Sequence, residues 1–410
     1  MVLRMPPART SPDSCPGVLA VHQAADGGLA RIRVPGGFVS ADQLQVLASA
    51  AIAVGDGRLE LTSRANLQIR GLKPGSEQTL SDRLYTAGLL PSMTHERVRN
   101  ILASPLTGLD STSLYDVRPL VAQLDRLLCA RADLAELPGR FLFALDDGRG
   151  DLTALKADAG LQVFPDGRIA LRLAGADTGV RANLSQGTGL LLATARAFLA
   201  ERAEQRSEAW RLAELEDGVQ RVLVRLNHQT AQDPSEASAP QGGPTEAGRH
   251  LQPDGRVALV VVVPLGSLTS DQAEAIGQAV RVTPWRSLVL PDIPADQVHA
   301  AEERLAGVGL VVDPESPWVG TTACAGQPGC AKALADVRAD ARRTTLRLSG
   351  RGRPVHWSGC ERRCGHPADE LVDVVATSEG YLVDGVPAGR EQVGELIAAR
   401  RNNEKTMRTL

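Results

Sequence analysis

The chain has 410 residues, 43% hydrophobic and 23% charged, with a formal net charge of −3. That length exceeds one average domain, so two or three compact units are expected, and the charge balance gives no general attraction to nucleic acid or to an anionic membrane. Aromatic residues make up only 3%, which leaves small aliphatic side chains to build the cores.

Met1–Gly17 is rich in Pro, Arg and Ser, lacks an apolar h-region and reads as an N-terminal tail (1–17). The longest apolar run, Val257–Leu265, has the length of a strand and falls short of a membrane span. A cytoplasmic protein with reduced thiols is expected. Val18–His22 and Leu29–Val34 alternate around Asp26-Gly27-Gly28 and predict two strands. The break Val34-Pro35-Gly36-Gly37 precedes Ser40-Ala41-Asp42-Gln43, an N-cap for a helix through Ala53. A strand pair over Arg58–Gly71 and a helix over Glu77–Ala87 complete a ferredoxin-like unit, residues 18–91.

A second unit, 92–227, holds the segment His95–Leu102, a helix near Arg118–Ala130, strands over Arg140–Leu173 and a helix over Gly189–Arg206. Residues 228–255 are polar and rich in Pro, Gly and Ser, and read as a linker that cannot bury a core. Beyond it the pattern of the first half returns over 256–315. Val34-Pro-Gly-Gly-Phe-Val-Ser-Ala-Asp-Gln43 is echoed by Val263-Pro-Leu-Gly-Ser-Leu-Thr-Ser-Asp-Gln272. In the same way Arg58–Leu61 answers Arg286–Val289, and Ala87–Leu90 answers Gly307–Leu310, a register that sets Ala103 against Cys324. Two similar halves about a pseudo-twofold axis, with a ligand cleft between them, are expected.

The last unit, 316–410, carries four of the six cysteines in two pairs. Cys324-Ala-Gly-Gln-Pro-Gly-Cys330 has five residues between thiols and Cys360-Glu-Arg-Arg-Cys364 has three, with a 29-residue spacer. Two compact loops presenting two thiols each suit the four corners of a cubane iron–sulfur cluster. Zinc, disulfides and buried free thiols are the other readings. A five-residue gap fits zinc poorly, and disulfides need an oxidising compartment. Cys15 and Cys129 have no partner by spacing.

Arginines stand where first-half strands end or loops begin, at 31, 33, 58, 64, 70, 97, 99 and 140. Guanidinium forks aimed into one cleft suit a ring carrying several carboxylates.

The Thr-Ala-Cys324 lead-in and the Gly-Cys-x3-Cys-Gly run at 359–365 resemble the cluster signature of the siroheme-dependent sulfite and nitrite reductases. The likeness extends to Arg33-Val-Pro-Gly-Gly37, Leu61-Thr-Ser-Arg-Ala-Asn-Leu-Gln68, Arg99-Asn100-Ile-Leu and Leu137-Pro-Gly-Arg-Phe-Leu142, and covers the chain from about residue 15 to 390. It implies an α+β fold. Each half would be a ferredoxin-like half-domain plus a nitrite/sulfite reductase 4Fe-4S-type α/β domain, the first of these α/β domains lacking a cluster. It further implies that Cys324, Cys330, Cys360 and Cys364 hold a 4Fe-4S cluster, with Cys364 as the residue that bridges to a siroheme iron in that family. Thr62, Arg64, Gln68 and Asn100 would hold the macrocycle, and Arg33, Arg99 and Arg140 would face the reacting side.

Two positions depart from the reductases: Leu142 stands in place of a lysine, and Glu60 in place of a macrocycle-binding arginine. A reduction by six electrons needs protons from a dense cationic pocket, and losing the lysine removes one donor. The Leu-Thr-Ser-Arg-Ala-Asn-Leu-Gln-Ile-Arg-Gly-Leu wording is instead similar to the cobalamin-pathway branch of the superfamily. That branch implies precorrin-3A as substrate, hydroxylation at C20 by dioxygen, closure of an acetate side chain to a lactone, and electrons from an NADH-linked donor. Non-haem iron would activate the oxygen, and siroheme would be bound only under the reductase reading. His95, His356 and His366 lie nearest the expected site, but as polar loop residues they do not define an iron site. No glycine-rich dinucleotide fingerprint follows a strand, so direct NADH binding is not expected. A third reading is a non-catalytic iron–sulfur or zinc protein.

Overall fold

The computed structural model describes residues 13–227, 242–367 and 370–407. The first half begins with the hairpin β1 (His22–Ala24) and β2 (Gly27–Ile32). It continues through β3 (Phe38–Val39), α1 (Ala41–Val54), the hairpin β4 (Arg58–Leu61) and β5 (Leu67–Leu72), and α2 (Glu77–Thr86). An α/β unit follows: β6 (Ile101–Ala103), α3 (Arg118–Cys129), β7 (Phe143–Asp146), β8 (Ala159–Val163), β9 (Arg168–Leu173), β10 (Ala176–Asn183), α4 (Gly187–Glu204) and α5 (Gly218–Arg225). Then the order repeats, with β11 (Gly248–Leu251), β12 (Val257–Val262), β13 (Ser267–Thr269), α6 (Ser270–Ile276), β14 (Val280–Val282), β15 (Ser287–Ile293) and α7 (Val298–Gly307). The last unit comprises β16 (Thr321–Ala323), α8 (Val337–Thr345), β17 (Val355–Ser358), β18 (Val372–Ala376), β19 (Tyr381–Val383), β20 (Val386–Ala388) and α9 (Val393–Met407).

Among the described residues these strands make four five-stranded sheets. Two belong to the α/β units, in the orders β10-β9-β8-β7-β6 and β16-β17-β18-β19-β20. The other two, β1-β2-β5-β4-β13 and β11-β12-β15-β14-β3, exchange their edge strands between halves. Thus β13 of the second half pairs with β4 (Ser267 opposite Glu60), and β3 of the first pairs with β14 (Val280 opposite Val39). The exchange covers two exposed edges at once and fuses both ferredoxin-like units into one core running from Val18 to Leu310. Each α/β unit keeps a separate core, around Phe141, Phe143 and Phe198 in the first and Trp357 and Tyr381 in the second.

The local devices repeat with the topology. Ser40 and Gln43 form a reciprocal capping box on α1, and Thr269 and Gln272 form the same box on α6. Before each, a tight turn closes through Gly37 N–H to Val34 O (2.8 Å) and Gly266 N–H to Val263 O (2.7 Å). Gly37 has φ +77, and a Cβ there would meet Val282 O at 2.2 Å, because the exchanged strand passes so close to β14.

The α+β architecture with two related halves agrees with the expectation, whereas the residue register of the repeat needs correction. Thr62 N–H bonds Asn66 O (2.9 Å) as Thr283 N–H bonds Ser287 O (3.0 Å), so β4 answers β14 and Arg286 lies in the turn after it. Ser104, not Ala103, answers Cys324: their N–H groups bond Leu145 O (3.2 Å) and Trp357 O (2.9 Å). Gly88, likewise, answers Gly309. The strand expected at Val18–His22 begins only at His22, and the expected linker contains β11, an edge strand on β12. Residues 228–241 lie outside the described part. Neither β10 nor α5 was anticipated. No helix among the described residues is long and apolar enough to cross a membrane.

Candidate functional site

Parallel strands β16 and β17 end side by side, and the loops at their carboxyl ends carry the four paired cysteines, the usual place for a ligand in an open α/β sheet. Cys324 directly follows β16, and its Sγ accepts the Gly359 N–H at 3.1 Å. A Cβ at Gly359 would press on Ala333 Cβ at 2.8 Å and reach Cys324 Sγ at 3.5 Å, so only glycine lets the loops approach this closely. Gln327 ties the first loop to itself through Ala335 O and Ala333 O. Burial pushes the Cys364 thiol up, and Cys324, Cys360 and Cys330 are near enough to add to the shift. All six cysteines are free thiols. Among the described residues no three His, Cys, Asp or Glu side chains stand close enough together to hold a single metal ion. The paired thiols thus share a neighbourhood without converging on one point. Four thiols from two tight loops, with a backbone N–H already given to one sulfur, fit the donor set of a cubane.

The first half reaches this unit through one hydrogen bond to the loop backbone and one ion pair. Arg70 on β5 forks onto Asp26 (2.9 and 2.9 Å) and donates to Gly329 O at 2.6 Å. Glu60 on β4 is buried and accepts from Arg338 of α8, whose Nε donates to Cys324 O at 3.1 Å. Burial alone would raise the Glu60 carboxyl, but the Arg338 charge and hydrogen bond, together with Gln68, hold it low.

On the same face of β2 and β5, where Arg31 lies opposite Gln68 and Gln68 opposite Glu60, is a basin of arginines. Arg31 donates to Gln68 Oε1 (3.4 and 3.1 Å) and to Cys15 Sγ (3.5 Å). Arg33 is buried and donates to Arg97 O (2.9 Å), Gly139 O (3.1 Å) and Cys15 Sγ (3.2 Å). Arg64 donates to Arg140 O at 3.0 Å, and the Arg140 guanidinium lies 5.4 Å from the Trp210 ring centre. Burial, then the charges of Arg211 and Arg140, push Arg64 down to about 9; burial and Arg33 lower Arg31 as well. Positive charge is therefore crowded beyond its counter-charges, an arrangement that favours a polyanion.

The remaining expected ligands are placed differently. Arg99 is buried and turned into the first α/β unit, forking onto Asp125 of α3 (2.7 and 2.8 Å) with a further bond to Leu89 O. That pair already neutralises its charge. Asn100 is wholly buried and links Asn66 to Phe141 O, so it clamps strands together. Thr62 Oγ1 accepts from Asn66 N (3.1 Å) and shapes its own turn. Gln68 bridges Arg31 to Glu60, and so orients an arginine.

Both ring nitrogens of His95 are satisfied, by Ser92 or Thr94 and by Arg131 O. His356 is buried beside Thr322 (2.8 Å), lowered to about 3 by burial, Arg286 and His366, and its Nε2 has no partner. Its ring centre is 5.4 Å from that of His366, whose Nε2 is 3.7 Å from Asp373. Hollows of about 690 and 720 Å³ lie between α1 and α2 and between α8 and α9, lined by none of the thiols or basin arginines. Residues the sequence did not single out are Arg338, Arg211 and Cys15 in its arginine setting. No spacing rule pairs Glu60 with a residue 278 positions away.

A family model described as the nitrite/sulfite reductase ferredoxin-like half domain matches residues 22–87 and 250–308. A precorrin-3B synthase from Sinorhizobium sp is 27% identical over 388 residues, covering 92% of this chain and 83% of that protein. A ferredoxin–nitrite reductase from Synechococcus elongatus is 29% identical over 405 residues, covering 87% and 78%. In fold, the chain is similar to the NirA protein of Mycobacterium tuberculosis, with a TM-score of 0.74 and 19% identity over 90% of this chain and 79% of that one.

Proposed function

We propose that this chain, which belongs to the nitrite/sulfite reductase superfamily, is an oxidoreductase of the precorrin-3B synthase type, hydroxylating precorrin-3A at C20 with dioxygen and closing an acetate side chain to a lactone. Cys324, Cys330, Cys360 and Cys364 would hold a 4Fe-4S cluster, which supplies single electrons drawn from an NADH-linked donor. Arg31, Arg33, Arg64 and Arg140 would receive the ring's carboxylates, since forked guanidinium groups pair two carboxylate oxygens at once. Arg33, buried at the end of β2, would also keep water from the bound ring's edge. One oxygen atom enters the substrate and the other leaves as water, which requires two electrons and two protons.

The observation that carries this reading is the fate of the two departures from the reductase pattern. Leu142 is sealed in the shared hydrophobic core, and Glu60 holds Arg338 in place of a ring carboxylate. Neither position supplies the proton donor or the extra ring contact that reduction of a small oxyanion calls for. The higher identity to the nitrite reductase of Synechococcus elongatus supports a second reading, a siroheme-dependent reductase. Reduced protein given precorrin-3A and heavy-isotope dioxygen should yield a product carrying one labelled oxygen. A protein that leaves the ring unchanged and reduces nitrite would overturn the first reading in favour of the second.

A further inference from the structure

We infer that Arg338 is a positioning residue that sets the reduction potential of the cluster at Cys324, Cys330, Cys360 and Cys364, and that Glu60 ties this setting to occupancy of the arginine basin. The inference rests on the cluster reading given above. Arg338 lies in the first turn of α8, whose start is fixed by Asp336 accepting from Ala339 N at 3.0 Å. From there its Nε reaches Cys324 O at 3.1 Å, while Nη1 is held by Glu60 from the other half. A fixed positive charge at a ligand's own peptide favours the more negative, reduced cluster and so raises its potential.

Glu60 is the hinge of a longer series. Its second oxygen accepts from Gln68 Nε2 at 2.6 Å, and Gln68 Oε1 accepts from Arg31, which lines the basin. An unbroken chain of hydrogen bonds thus runs Arg31, Gln68, Glu60, Arg338, Cys324 O, crossing from one half to the other. A polyanion that draws Arg31 off Gln68 changes what Gln68 offers Glu60, and hence the charge balance at Arg338. By linkage, ring affinity and cluster potential must then depend on each other.

The test is a reductive titration of the anaerobically purified protein, followed by EPR, with and without uroporphyrin as a ring-shaped polycarboxylate probe. Arg338→Met should make the cluster at least tenfold harder to reduce, about 59 mV for a one-electron couple, while Arg338→Lys, which keeps the charge, should recover most of that shift. Uroporphyrin should move the wild-type midpoint and leave that of Glu60→Gln in place. An unmoved midpoint in Arg338→Met with full iron and sulfide would overturn the inference. If Arg338→Met fails to retain its cluster, equal uroporphyrin shifts in wild type and Glu60→Gln would overturn it instead. Wild-type protein with no acid-labile sulfide would remove the cluster reading, and this inference with it.

Discussion

Arg64 sits where its charge is least compensated. Half-buried beside Arg140 and Arg211, it is pushed down to about 9, and an incoming carboxylate would relieve that crowding. Arg64→Ala should therefore weaken binding of a polycarboxylate ring about 10- to 100-fold, the worth of a charge-assisted bond of about 1.5–3 kcal/mol, with the fold intact. Because the bond joins opposite charges, wild-type affinity should also fall as salt is raised, and the variant's should fall less steeply. Ring fluorescence quenching against salt would measure both, and an unchanged dissociation constant in the variant would take Arg64 out of the site.

Asp151 shows the opposite sign beside Ser104, the first half's counterpart of Cys324. There Ser104 Oγ accepts Asp147 N–H at 3.2 Å, as Cys324 Sγ accepts Gly359 N–H, and donates to Asp151 at 2.7 Å. Burial and Asp146 raise the Asp151 carboxyl well above its ordinary value. The folded chain then keeps a proton that the unfolded chain has lost, so Asp151 costs stability progressively as pH climbs from about 4. Asp151→Asn, which still accepts from Ser104, should melt higher than wild type at neutral pH, with the two melting temperatures converging near pH 3. A variant less stable at both pH values would contradict this.

At the level of elements, the two thiol-bearing loops were legible as neighbours because the spacing of the thiols and Gly359 are local features. The helix at α1 was legible from Ser40 and Gln43, which cap it by a strictly local rule. What the sequence hid were partners distant along the chain. Arg99 looked like a ligand because Asp125 lies 26 positions away on a helix face, and Glu60 looked like a loss because Arg338 belongs to the other half. The repeat was misaligned by one residue at Ser104, since residue identity alone pairs alanine with cysteine more readily than it shows which N–H bonds which carbonyl.

The loops make a direct prediction: Cys324→Ser should lose iron, sulfide and activity together, and full iron and sulfide content would contradict the assignment. Glu60→Gln should cost about 3 kcal/mol, the lower end for breaking a buried pair, because Arg338 keeps a fifth of its side-chain surface. The Glu60 carboxyl is held below its unfolded value, so its contribution is present above about pH 4.3 and fades as acid protonates it. Denaturant unfolding at pH 7 should show the full difference, which should shrink in acid; a pH-independent difference would count against the pair.

Over the whole molecule, exchange of β3 and β13 makes the two ferredoxin-like units a single core, and one sheet face over that core carries both the arginine basin and the contacts of Glu60 and Arg70 to the thiol-bearing unit. The overall plan could be read from the echo of Val34–Gln43 in Val263–Gln272, but the exchange could not, because each edge strand is two or three residues long. The central claim is that the cluster serves a ring bound as substrate and not as resident siroheme. The absorption spectrum of anaerobically purified protein tests it most directly. Broad cluster absorption that bleaches on reduction, without macrocycle bands, is the expected result; sharp siroheme bands in the protein as isolated would contradict it.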